Sequence, residues 1–211
     1  MKNYIQKEER VNWITHAIAL GLSLVGAVFI YRSLAQHEAK ALKWVSSTVY
    51  AVSLIILYSA STGYHAMVRA KWKQLLRLAD HIAIYVKIAG TYTPFLLLAL
   101  PFRQAIVWLV LLWTLVIAGT VFKIFLIKKV PILSTILYVA MGWLAVFIFP
   151  QLYSSLPGTI LACIVAGGIF FTAGVFFFVA RKIPFSHSIW HVFVMAGSGW
   201  HYAGVYLLIS R

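Results

Sequence analysis

Apolar residues run in seven stretches along the chain, near 11–34, 42–66, 80–100, 103–122, 131–149, 157–180 and 187–209, with short polar segments between them. A bilayer core about 30 Å thick is spanned by about 20 apolar residues in helical form. Lipid offers no partner to backbone N–H and C=O groups, so each stretch is predicted to close its hydrogen bonds internally, as an α-helix. The pattern predicts an all-α membrane protein: one seven-transmembrane helix bundle over residues 1–211, with no soluble domain, long linker or internal repeat.

Polar positions interrupt the stretches at helical spacing. Asn12, His16 and Ser23 make one stripe; Ser61 and His65 share a face of the second stretch. Asp80, Lys87 and Thr91 share a face of the third, and His187 and His191 a face of the seventh. An Asp or Lys at mid-membrane costs about 2.5–3.5 kcal/mol on insertion scales, so such residues are expected to face a partner or a cavity.

Lys and Arg between the stretches set the orientation. Lys2, Lys7, Arg10, Arg69, Lys71, Lys73, Arg77, Lys123, Lys128, Lys129, Arg181 and Lys182 fall on one side. Arg32, Lys40, Lys43, Arg103 and Arg211 fall on the other. Twelve against five predicts a cytoplasmic N-terminus and a C-terminus outside. With that topology Asn12, His16, His65, Asp80, His187 and His191, scattered over nearly the whole chain, share one level at the cytoplasmic side.

Composition narrows the classes. With 63% hydrophobic and 10% charged residues, a water-soluble fold is excluded. The formal charge of +14 lies in clusters beside apolar runs. Anionic lipid headgroups at the cytoplasmic loops are therefore the expected partner, and nucleic acid is not. The stretch at 11–34 is too long for the core of a signal peptide and is read as a retained span. Cys163 is the only cysteine, which excludes an intrachain disulfide or a Cys-based metal site.

A His pair at i, i+4 presents two nitrogens to one ion, and His65 is the candidate for a third. Three imidazoles with one open position form a catalytic zinc arrangement, in which water becomes a nucleophile near neutral pH. Asp80 is then expected to orient that water or take its proton, and Ser61 to hydrogen-bond it.

The markers Asn12 with Thr15-His16, the run from Ser61 to His65, Asp80-His81 followed by residues 89–95, the run from His187 to His191, and the later His201 occur in an order and placement that is jointly specific. In these residues the chain resembles the progestin and adipoQ receptor family, most closely its bacterial hemolysin III branch. The resemblance implies a seven-helix fold in a bacterial plasma membrane with a cytoplasmic-side zinc. From the adiponectin receptor branch it implies that His65, His187 and His191 hold the metal and that Asp80 and Ser61 position the water, in a ceramidase-like hydrolase of a lipid amide. The hemolysin name implies a pore-forming cytolysin instead. A receptor or membrane-stress sensor with structural zinc is a third alternative.

Asn12, His16, Lys87 and His201 are the residues expected to line a substrate pocket above the metal. Lys87 departs from the family pattern: it lies about 10 Å beyond Asp80 on the same face, and no Glu is close to it in sequence. His201 lies about 15 Å beyond His191, too far to share its metal, and is expected in packing or pocket lining. Gly197 and Gly204 flank it and predict close helix contact.

Overall fold

The computed structural model describes residues 2–125, 131–180 and 182–211, and every regular element among them is helical. The elements are α1 (Lys2–Gln36), α2 (Ala41–Ala66), α3 (Ala70–Ala99), α4 (Phe102–Phe125), α5 (Pro131–Trp143), α6 (Ala145–Ser155), α7 (Gly158–Val179) and α8 (Ser186–Ile209). Among the described residues, seven spans are long and apolar enough to cross a membrane, with α5 and α6 together making the fifth. The predicted seven-helix bundle is the observed fold.

Several features differ from the apolar pattern. Helix α3 starts ten residues before the predicted span, so Lys71, Lys73 and Arg77 lie on its first turns instead of in a loop. Charged side chains do not stop a helix; they only mark where it leaves lipid. The fifth span breaks at Leu144, between α5 and α6. There the Tyr92 hydroxyl donates to the carbonyls of Met141 and Gly142, at 3.1 and 2.6 Å. Pro150, a turn and a half later, removes one further backbone donor. Lys123, expected in a loop, is buried at 2% exposure near the end of α4. Lys128, Lys129 and Arg181, which entered the charge count, lie outside the described residues.

Helix α3 is the most buried span. It packs on α2 and α4, and more lightly on α5 and α8, while α1 packs on α2 and α8, and α7 on α8. Lipid tails are as apolar as these side chains, so close packing and polar contacts hold the helices together. Ser46, Ser47 and Ser53 give α2 a buried small-residue face, and a Cβ on Gly90 would collide with Ser53. Val28, Val107, Val110 and Ile117 are more than 60% exposed and form part of the surface offered to lipid.

Helices α1 and α8 run in the same direction. Asn12 meets Ser188, His16 meets His191, Tyr202 meets Gly26 and Ser33 meets Ser210, in rising order on both. At the far end Lys43 caps α8, its ammonium donating to the carbonyls of Ile209 and Arg211 at 3.2 and 2.9 Å. The starts of α1 and α8, the end of α2 and the early turns of α3 therefore share one end of the bundle.

Candidate metal centre

His65 is on the last turn of α2, and His187 and His191 are on the first two turns of α8. Ahead of them, Phe185 caps α8 in the left-handed region at φ 55°, with its N–H donated to the Tyr4 hydroxyl on α1. That bond and the edge-on packing of the Tyr4 and Phe185 rings tie the entrance of α8 to the first turn of α1. A conformation of this kind costs a bulky residue about 1–3 kcal/mol and persists where its surroundings hold it.

The three imidazoles converge on one point. Nε2 of His187 lies 3.4 Å from Nε2 of His65 and 3.2 Å from Nε2 of His191. All three donor atoms lie within 4.8 Å of one another. A tetrahedral ion with bonds of 2.0–2.1 Å sets its nitrogens about 3.3 Å apart, so these residues fit a zinc ion. Burial sharpens the point, since His65 and His191 are 5% and 2% exposed. Lone pairs turned on one another at little-exposed positions favour a shared cation or proton.

Other predicted residues gather around this point. His16 stacks on His191 with ring centroids 3.6 Å apart, and Tyr58 meets the His16 ring edge-on. Both His16 nitrogens are buried without a hydrogen-bond partner in the protein. The Ser188 hydroxyl donates to Asn12 Oδ1 at 2.6 Å, which fixes α1 against α8 beside the cluster. Ser61, one turn before His65, lies beside the Asp80 carboxylate, which is also near enough to His65 and Lys123 to interact with their charges.

Lys87 and His201 stand apart from this cluster and make their contacts with α7. The Lys87 ammonium sits 3.7 Å from the centre of the Phe171 ring, and Lys87 is 4% exposed. His201 Nε2 lies 3.2 Å from the Ile164 carbonyl, and its ring fills the space over Gly167, where a Cβ would collide with it. Gly197 and Gly204 receive Phe171 and the Cys163–Phe95 pair at similarly close range.

The sequence reading missed two participants. Glu9 accepts hydrogen bonds from His65 Nδ1 at 3.0 Å and from Lys73 Nζ at 3.1 Å. Lys123 donates to His81 Nδ1 at 2.9 Å, and its charge also acts on Asp80. A membrane-edge Glu and an end-of-span Lys read as ordinary solvated charges, and partners on other helices leave no spacing signal. Glu9 also lines, with Glu8, Asn12, Tyr64, His65 and His187, a cavity of about 180 Å³ that opens on the cluster.

Residues 4–202 match the family described as haemolysin-III related. The chain is 44% identical over 192 residues to the hemolysin-3 homolog of Bacillus subtilis (strain 168), covering 91% of this chain and 90% of that one. It is 42% identical over 194 residues to hemolysin-3 of Bacillus cereus, covering 91% and 87%. It is 26% identical over 215 residues to the monocyte to macrophage differentiation factor of Homo sapiens, covering 97% and 85%.

Proposed function

The chain belongs to the haemolysin-III related family, and on that footing we propose that it is a zinc-dependent hydrolase of a lipid amide or ester in a bacterial plasma membrane. His65, His187 and His191 hold the metal at the cytoplasmic side, with the N-terminus in the cytoplasm and the C-terminus outside. The observation that carries this reading is the convergence of three Nε2 atoms at 3.2 and 3.4 Å, with the Asp80 carboxylate near enough to interact with His65. A zinc ion there supplies Lewis acidity and lowers the pKa of water to about 7.

The chain's own groups do the rest. An Asp80 carboxylate oxygen orients water and takes its proton, and the Ser61 hydroxyl holds that carboxylate in place. Asn12 and His16 form the wall on the α1 side. A cavity of about 180 Å³ admits water and a small polar group. Sites for drug-sized ligands run to about 300–1,000 Å³, so the lipid chain enters from the bilayer as helices part.

The test is zinc content together with fatty-acid release from a panel of ceramides and lipid esters, in detergent and in liposomes. One zinc per chain with turnover on an amide or ester is the expected result. Zinc without turnover on any of them would leave a sensor with structural metal.

The name hemolysin-3, carried by the Bacillus cereus relative, refers to lysis of cells and prompts a second reading, a pore. Apart from Lys87 and His201, the buried ionisable groups His16, His65, Asp80, Lys123 and His191 gather at one end of the bundle, and Lys43 ties α2 to the end of α8 at the other. Both features support the hydrolase over a continuous aqueous path. Calcein release from liposomes that persists after chelation would favour the pore.

A further inference from the structure

We propose that Glu9 is the positioning residue of the metal centre. Its carboxylate selects the His65 tautomer that can bind a metal and, with Lys73, draws α1, α2 and α3 together around it. The proposal rests on the zinc reading above.

A neutral imidazole carries one N–H, and only the other nitrogen has a lone pair to give. An ionised carboxylate accepts and cannot donate. At 3.0 Å from Glu9 Oε2, His65 Nδ1 is therefore the protonated nitrogen, and Nε2 is left bare where His187 Nε2 faces it at 3.4 Å. Without that acceptor the ring is free to carry its proton on Nε2, which blocks coordination. A carboxylate behind a ligating histidine also makes the ring a stronger donor, and loss of such a partner costs about 10–100-fold in metal affinity.

A surface ion pair between Glu9 and Lys73 is the simpler account of the same carboxylate, and three observations go beyond it. The same oxygen, Oε2, serves both partners. The His65 side chain is only 3% exposed, so its Nδ1 has little water to turn to, whereas the Glu9 and Lys73 side chains are 28% and 31% exposed. The partners are 56 positions apart on different helices, so the contact is not a by-product of neighbouring turns. Lys73 has a subordinate part: its ammonium, 3.1 Å from Oε2, helps hold the carboxylate in position.

The experiment measures zinc affinity by competition with a chromophoric chelator on the purified full chain, with thermal midpoints of the metal-free proteins alongside. Glu9→Gln is expected to weaken zinc by about 10–100-fold while the metal-free midpoint stays within a few degrees. Lys73→Met is expected to change zinc affinity by less than threefold, because Glu9 still reaches His65. Cobalt-substituted Glu9→Gln should keep the absorption of a four-coordinate ion, which separates a positioning role from direct ligation by Glu9. Equal zinc affinity in Glu9→Gln and wild type would overturn the proposal, as would equal losses in Glu9→Gln and Lys73→Met. Wild type that binds no zinc would remove the zinc reading itself, a distinct outcome.

Discussion

An imidazole buried with its lone pair facing two others is costly unless something shares those lone pairs, and this makes single-residue predictions sharp. His65→Ala, His187→Ala and His191→Ala should each strip most of the zinc, measured as metal per chain after purification, because two protein ligands compete poorly with solvent and chelators. His201→Ala should keep it, since that ring is committed to the Ile164 carbonyl. Asp80→Asn should keep the zinc yet lose about 10²–10⁴ in turnover per bound metal, the range for a missing general base. Ser61→Ala should lose less, because a hydroxyl positions without taking the proton. Full activity per zinc in Asp80→Asn would refute the role given to Asp80. The histidines and Asp80 were legible in the sequence because a polar group within an apolar run needs a reason to be there. Glu9 and Lys123 lie where charge is ordinary, and only the fold turns them inward.

Pairs of helices meet over glycines, and the glycines differ in what they leave room for. A Cβ at Gly167 would collide with the His201 ring, whereas one at Gly168 meets nothing within 4 Å. Gly167→Ala should therefore separate α7 from α8 and destabilise by about 1–3 kcal/mol, the usual cost of overpacking. Gly168→Ala should be neutral or slightly stabilising, since Ala is the better helix former. Thermal midpoints of the two proteins in one detergent check this, and equal shifts would mean that α7 and α8 are not packed as described. At this scale the seven spans could be read from apolar length, but the break at Leu144 could not. It depends on the Tyr92 hydroxyl from another helix, which takes carbonyls that α5 would otherwise keep.

The bundle as a whole is predicted to sit with its histidines toward the cytoplasm. A reporter active only in the cytoplasm should work when joined after Val68, in the exposed turn between α2 and α3, and should fail after Arg211. Activity at Arg211 would reverse the orientation and put the metal outside. The parallel contact of α1 with α8 also has a consequence for how the protein is made. The span carrying Asn12 and His16 leaves the ribosome well before α8, because Ser188 lies 176 positions after Asn12, and His191 follows it. At about 5–20 residues per second, roughly 10–35 s separate the two. During that interval the polar face of α1 has no native neighbour on α8, and no metal can be captured by all three histidines. A chain stopped before α8 should therefore capture no metal at this centre, because two of the three histidines are on α8.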